Sequence, residues 1–337
     1  MIILTKGIMN EYKNKNILVT GGTGSIGLSL VKKLLSCKPK FIKILTNDEN
    51  SIFDARKILG ENKSIKYIVG DIRDKERCQL AVRNVDIVFH AAAMKHIDIC
   101  EQNPFDAVKT NVIGTSNMLE VSIIEGISKF IFISTDKATN PTSTLGASKL
   151  LAERLTLDAG SSLENGKMIF TIARFGNVVG SRGSVFQIFN QQLRNNSPIT
   201  VTDSRMTRFI MSLSDAASMI LKIGHVANNS DTFILKMPSV KIEQFAKMMI
   251  QVYKKRNKLK QTPKIKISKI RYHERFHELL ITNDEIEFSH DVGDMYKISK
   301  QLNKKILNHK QFNSSSASQI DKKKLQKIIN ELFDEIN

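Results

Sequence analysis

Cysteine is scarce: Cys37, Cys78 and Cys100 are the only three in 337 residues, odd in number, far apart and in no CxxC pattern. Disulfide scaffolds and cysteine zinc sites are thereby excluded, and a reducing, cytoplasmic setting is expected. No apolar run reaches the ~18–20 residues of a spanning helix, so no integral membrane segment is expected. The opening Met1-Ile2-Ile3-Leu4 is too short for a signal-peptide core and carries no cleavage site. With the first strand expected from near Asn16, Met9 offers an alternative start. No repeat of roughly 20–50 residues is visible, which excludes solenoids and propellers. The seven histidines lack metal-ligand spacing except in His273-Glu274-Arg275-Phe276-His277. On a helix that string would suggest zinc. Here it follows a lysine-rich, strand-like segment and has no obvious third ligand, so no metal is expected.

Acidic residues are outnumbered, 33 against 51 Lys+Arg, which leaves a net charge of +18. Such a balance suits a nucleic-acid or anionic-surface partner. A Lys/Asn/Ile-rich coding bias gives the same balance by placing lysines on solvated faces, and most lysines here are scattered singly. The one dense region, from Lys254-Lys255-Arg256 through Lys258, Lys260, Lys264, Lys266 and Lys269 to Arg271, has little aromatic interleaving. No nucleic-acid partner is therefore expected. A field of this sign also draws in a diphosphate substrate.

What is present is a globular composition, 41% hydrophobic and 25% charged. The length suits roughly two domains, or one large α/β domain with a smaller satellite. Short β-branched runs at Asn16–Thr20, Phe41–Leu45, Ile65–Val69, Asp86–His90, Lys129–Ile133 and Met168–Ala173 alternate with helical periods, notably Phe105–Glu125 and Leu145–Leu157. That alternation predicts an α/β fold: a Rossmann-like, doubly wound parallel sheet with a smaller C-terminal substrate-binding α/β part. The expected division is 12–175 for a dinucleotide, 176–300 mainly for substrate and interleaved with the first, and 301–337 for a tail. That tail holds a polar Asn313–Ser318 linker and an amphipathic helix over Asp321–Ile336, with Leu325, Ile328, Ile329, Leu332 and Phe333 on one face.

Thr20-Gly21-Gly22-Thr23-Gly24-Ser25-Ile26-Gly27 stands between a predicted strand and a predicted helix. Glycines at 22, 24 and 27 allow a tight turn and close approach to a pyrophosphate, and the helix start offers N–H donors and a positive dipole end. A tight turn alone would not need four glycines in seven residues. A ribose-binding acid is expected about 20 residues on, where Asp48 follows Thr46-Asn47. Asp71, after the third strand, reads either as an acceptor for the adenine amino group or as a strand-end cap.

The phosphate loop, Gly70-Asp71-Ile72-Arg73-Asp74, His90-Ala91-Ala92-Ala93-Met94-Lys95-His96 and Thr110-Asn111 together resemble an extended short-chain dehydrogenase/reductase. Ser134-Thr135-Asp136-Lys137-Ala138, the run Arg174–Ser184 and Thr202–Phe209 are similar to the inverting UDP-N-acetylglucosamine 4,6-dehydratases of the CapD-like polysaccharide biosynthesis group. Ile270–Glu278 resembles that group's substrate-end motif. The likeness runs from about Asn16 to Ile298, and the capsule-type members have a similar tail.

The resemblance implies a soluble homo-oligomer holding NADP or NAD tightly, with a UDP-sugar as substrate. It implies oxidation at C4, loss of water across C5–C6, return of reducing equivalents to C6 and inversion at C5. Asp136 would be proton donor to the C6 hydroxyl and Lys137 the base for the C5 proton, with Thr135 beside them; Lys149 would hold the nicotinamide ribose. Cofactor positions would be Gly21, Thr23, Gly24, Ser25, Ile26, Gly27, Thr46, Asn47, Asp48, Asp71, Ile72, Ala91, Ala92, Ala93, Lys95, Asn111 and Lys149. Substrate positions would be Lys95, Asn177, Arg182, Ser184, Thr202, Met206, Arg208, Arg271 and Glu274. The arginines among them suit diphosphate oxygens. Independently of the likeness, a ketone at C4 acidifies C5, and a lysine whose pKa is lowered by desolvation or nearby cations can take that proton.

Three positions depart from the pattern. The superfamily's tyrosine four residues before the lysine is Leu145, which cannot take the C4 hydroxyl proton. Some inverting dehydratases resemble this chain in placing a methionine there, so Asp136, Thr135 or water must relay the proton. A family glycine is His273, and the arginine expected to read a 2′-phosphate is Asn47. Two rivals remain: a UDP-sugar 4-epimerase, and a catalytically silent NAD(P)-sensing binding protein. Neither needs the Asp136-Lys137 pair.

Overall fold

The six β-branched runs form parallel strands because side chains of that shape pack well on both faces of a buried sheet. In the computed structural model, which describes residues 4–162, 168–270, 273–299 and 312–336, they are β1 (Asn16–Thr20), β2 (Phe41–Thr46), β3 (Ile65–Val69), β4 (Ile87–His90), β5 (Lys129–Thr135) and β6 (Ile169–Phe175). Their order is β6-β5-β4-β1-β2-β3. Thr232–Leu235 pairs parallel to β6, and the antiparallel strands Met295–Ile298 and Ser289–Asp291 complete a nine-stranded sheet.

The winding direction reverses between β1 and β4. Connections from β1 run one way to β3, and those from β4 run the other way to β6. Ligands of doubly wound sheets bind outside the strand C-termini at such a reversal. Thr20, His90 and Thr135 stand at those ends.

Apolar layers cover both faces. On one face, Leu30, Val31 and Leu34 of the helix Ser25–Ser36 pack with Ala216, Met219, Ile220 and Ile223 of Leu213–Val226. On the other, Cys78, Val82, Met118 and Val121 pack on Phe130, Phe132 and Phe170. Truncating one such buried phenylalanine to alanine costs about 3–5 kcal/mol. A third cluster joins Phe186, Phe189, Phe245 and Met249 to Leu325, Ile328, Ile329, Leu332 and Phe333 of the final helix, Lys322–Ile336. Its apolar face is the one the sequence pattern indicates.

Three differences from the sequence pattern matter. A helix, Lys6–Tyr12, precedes β1; Tyr12 is fully buried and its hydroxyl donates to Leu221 O at 2.5 Å. The helical period over Phe105–Glu125 is interrupted by a π-turn at Val108–Ile113 between Pro104–Ala107 and Gly114–Ile124. The polar stretch expected as a linker is tied down: Ser314 is fully buried, its N–H donates to Glu278 O and its hydroxyl meets Thr207 Oγ1 at 2.7 Å. Among the described residues no helix is long and apolar enough to cross a membrane.

Candidate active site

The phosphate loop closes the end of β1. A Cβ at Gly27 would lie 2.4 Å from Gly21 O and 2.6 Å from Gly22 Cα, so only glycine lets the helix start sit against the turn. Gly24 caps the helix Ser25–Ser36 without a side-chain hydrogen bond, which leaves the first-turn N–H groups facing outward. Thr23, Thr46 and Ser51 hydroxyls link at 3.0 and 2.8 Å, tying this loop to the end of β2.

Beside the loop lies a cleft of about 340 Å³ whose walls include Thr46, Asn47, Asp71, Ile72, Ala92 and Ala93. Burial pushes the Asp71 carboxyl up, but hydrogen bonds from Arg73 and Asn47 outweigh it and hold its pKa below the ordinary value. Asp71 lines the cleft and accepts from Arg73 N at 2.9 Å, the contact of a strand-end cap. Asp48 instead caps the helix Glu49–Leu59, one oxygen accepting from Asn50 N and Ser51 N.

A buried polar chain stands behind this cleft. The Thr115 hydroxyl donates to Asn111 O at 2.7 Å, so it accepts from His90 Nε2 at 3.1 Å. His90 Nδ1 then accepts from Thr20 Oγ1 at 2.8 Å, and Ala92 N–H donates to the same hydroxyl at 3.2 Å. Burial, with the Lys149 charge, pushes His90 down to about 3 and keeps it neutral. The π-turn aims Asn111 at the loop after β4, where its amide pairs with Met94 N and O and with Ser148 Oγ. Asn111 therefore fixes the cleft wall through Met94.

At the end of β5, Thr135 caps a short 3-10 turn, Asp136–Ala138. Thr135 Oγ1 and Lys137 Nζ both donate to Asp136 Oδ1 at 2.9 Å. Asp136 is fully buried, and its Oδ2 has no partner among the described residues. A second carboxylate, missed by the sequence reading, approaches Lys137: Glu278 Oε1 lies 3.9 Å from Nζ and 3.5 Å from Arg208 Nε. Its Oε2 is likewise buried without a partner among the described residues.

These carboxylates reverse the expected perturbation of Lys137. Burial alone would lower its pKa, but Asp136 and Glu278 outweigh burial and raise it above the ordinary lysine value. Lys149 shows the opposite balance. Its Nζ donates to Ile133 O at 2.6 Å and lies 4.0 Å over the Phe132 ring, and burial drives it down to about 7. Leu145, on the same helix, is buried beside Cys100 and Ala107.

A further polar cluster, holding several of the positions expected for substrate, assembles around Glu274 and Glu278. The Thr202 hydroxyl lies 3.1 Å from Glu274 Oε1 and 3.2 Å from Met206 Sδ. Arg208 donates to Thr207 O and Phe276 O and stands 3.6 Å from Glu274. With those partners it braces the carboxylates Glu274 and Glu278. Asn177 Oδ1 and Ser184 Oγ are buried and unpartnered among the described residues. Arg182 and Lys95 lie elsewhere: Arg182 Nη2 donates to Thr23 O at 2.7 Å, and Lys95 Nζ to Arg182 O at 2.5 Å. Arg271 lies outside the described residues. His273 and His277 are not on a helix, and engage Thr142 O and Thr207 Oγ1.

The polysaccharide biosynthesis protein profile matches residues 17–300. The chain belongs to that family. A Methanocaldococcus jannaschii relative, named only as an uncharacterized membrane protein, is 44% identical over 96% of this chain and 98% of its own. A UDP-N-acetylglucosamine 4,6-dehydratase (inverting) of Campylobacter jejuni is 39% identical over 86% of this chain and 84% of its own. A UDP-glucose 4-epimerase of Rickettsia bellii is 35% identical over 85% and 83%. The X-ray structure of Pen from Bacillus thuringiensis superposes with a TM-score of 0.89 at 38% identity, covering 95% of this chain and 98% of Pen. This polysaccharide biosynthesis family member is thus related to both dehydratases and epimerases of nucleotide sugars, on the Rossmann-like sheet of short-chain dehydrogenases.

Its residues fit a nicotinamide dinucleotide. The glycine cradle admits no Cβ at 27, the helix start is left uncapped by any side chain, and a cleft lined by Thr46, Asn47, Asp71 and Ala92 lies at the neighbouring strand ends.

Proposed function

We propose that this protein is a C5-inverting nucleotide-sugar 4,6-dehydratase acting on UDP-N-acetylglucosamine, for surface polysaccharide or glycan synthesis. The observation that carries this reading is the Asp136–Lys137 pair, 2.9 Å apart at the end of β5, with one carboxylate oxygen left unpartnered among the described residues. The name of the Campylobacter jejuni relative supports it. The protein would be a cytoplasmic homo-oligomer holding NADP or NAD. Three buried, unpaired cysteines suit that setting.

The bound nicotinamide would supply a two-electron oxidation at the sugar's C4 and return the same two electrons to C6. Every other step falls to side chains. In the resting site Lys137 is held charged, and its Nζ donates a proton along the hydrogen bond to Asp136 Oδ1. Moving that proton to Asp136 creates a neutral amine and a carboxylic acid without changing the site's net charge. Once C4 is a ketone, Lys137 Nζ takes the C5 proton and Asp136 gives its proton to the C6 hydroxyl, which departs as water. The pair ends as ammonium and carboxylate, its resting form, and C5 regains a proton from solvent on the opposite face as reducing equivalents return to C6, which inverts C5. Leu145 has no proton to exchange, so Thr135, Asp136 or water receives the C4 hydroxyl proton. Lys149 would hold the ribose from the strand side, and Asn177, Ser184, Thr202, Met206 and Glu274 would line the sugar nucleotide's path. Residues 176–300 would serve mainly this substrate side.

The Rickettsia bellii relative's name favours a second reading, a 4-epimerase. Purified protein incubated with UDP-N-acetylglucosamine tests both. The expected product is lighter by one water, with no net change in reduced cofactor. A product of unchanged mass, epimerised at C4, overturns the dehydratase reading.

A further inference from the structure

After β6 the chain runs through the glycine-bearing segment Gly176–Ser184, which the sequence pattern places with the substrate. Its middle instead folds back over the phosphate loop. The Arg182 N–H donates to Ser25 Oγ at 3.0 Å, and its guanidinium Nη2 to Thr23 O at 2.7 Å. From the other side, Lys95 in the loop after β4 reaches across to donate to Arg182 O. The crossing is tight: Gly183 has φ +70, and a Cβ there would lie 2.4 Å from His96 Cε1. Gly183 N–H is in turn anchored to Gln187 Oε1 at 2.8 Å, at the start of the helix Val185–Arg194.

Two cations thus meet over the turn that opens the helix Ser25–Ser36, one donating to Thr23 O and the other to Arg182 O. Burial and the nearby Arg182 charge both lower the Lys95 pKa, a strain that a bound anion would relieve. The chemistry that fits is a diphosphate. A cofactor pyrophosphate and a sugar nucleotide both carry one, but the contacts are to Thr23 and Ser25, in the turn that opens the helix Ser25–Ser36. We propose that Arg182 and Lys95 form a strap across the phosphate loop that holds the pyrophosphate of the nicotinamide dinucleotide and slows its release. The strap rests on reading the loop as a dinucleotide site, but not on which reaction follows. It suits a cycle in which reducing equivalents return to the same sugar and the cofactor need not leave.

The test uses full-length protein with NAD+ and NADP+ as probes. Dissociation rate and affinity are measured for the wild type, Arg182→Ala, Arg182→Lys and Lys95→Ala, with circular dichroism confirming the fold. UDP affinity is measured at saturating dinucleotide. Arg182→Ala is expected to speed release of the preferred dinucleotide by roughly tenfold to a hundredfold, the range for losing a hydrogen bond to a charged group. Lys95→Ala should do so by less, Arg182→Lys should recover part of the loss, and UDP affinity should stay within about twofold. If Arg182→Ala leaves release unchanged, or weakens UDP while the dinucleotide stays saturating, the strap is overturned and Arg182 returns to the substrate side. If the wild type binds neither dinucleotide, strap and cofactor site fall together. A strap that passes while no water is eliminated would leave only the reaction assignment refuted.

Discussion

Two buried charge clusters lie in this molecule, and they are built to opposite standards. In the first, Arg174 on β6 meets Glu153 and Glu285, and all five guanidinium N–H groups find acceptors. Glu153 takes two of these bonds at 3.0 and 2.7 Å, Glu285 two at 2.9 Å, and Leu280 O one at 3.1 Å. Burial opposes the charges, yet the pairing holds Arg174 above and Glu285 below their ordinary pKa values. In the second, Asp136, Lys137, Glu278 and Arg208 include two carboxylate oxygens with no partner among the described residues, and contacts to Glu278 of 3.5 and 3.9 Å. A completed network locks β6 to the helix Thr144–Ser161 and to Asn283–Ile286. An incomplete one leaves acceptors for something else to fill. Orphaned buried oxygens are costly, and here they gather where the dehydration chemistry would occur.

The contrast can be broken from either side. The largest effect is expected from Lys137→Met, which should lower turnover roughly 10²–10⁴-fold, the range for losing a general base. Its denaturation midpoint should move less than that of the next variant, because Lys137 makes one side-chain hydrogen bond at 2.9 Å where Arg174 makes five. Retained turnover would remove Lys137 from the chemistry. Arg174→Leu leaves two carboxylates buried without their cation and should cost about 3–5 kcal/mol in denaturant unfolding. A loss under about 1 kcal/mol, the level of exposed pairs, would show that the completed cluster holds nothing together.

Glu278→Gln gives the smallest and most diagnostic change. Glu278 helps raise the Lys137 pKa, so its neutralisation lowers that pKa, and the Lys137 proton is lost at a lower pH. The alkaline limb of the rate profile should therefore move to lower pH, with stability little changed. An unmoved limb would mean that Glu278 does not sense the pair.

The sheet was legible because buried parallel strands read as continuous apolar runs. All of Ile87–His90 is buried, and the observed β1 and β3 have the boundaries expected from sequence. The pair at 136–137 was legible through its motif and its place after a strand. What escaped depends on contacts distant in sequence. Glu278 meets Lys137 across 141 positions, and Ser314, placed in a supposed linker, fixes Glu278 N at 2.9 Å. The π-turn was hidden because its residues keep a helical apolar period while the backbone widens to turn Asn111 inward. The Lys137 perturbation was read with the wrong sign because burial and adjacent cations were weighed without the charges of Asp136 and Glu278. Arg182 was assigned by its motif to a substrate diphosphate, whereas loop geometry sets it on Thr23 and Ser25.

The central claim is that Lys137 and Asp136 together move one proton off C5 and another onto the leaving hydroxyl. Running the reaction on UDP-N-acetylglucosamine in heavy water and locating the label by NMR tests this most directly. Deuterium at C5 of a product lighter by one water is the expected result. A product that keeps its original C5 hydrogen would contradict it.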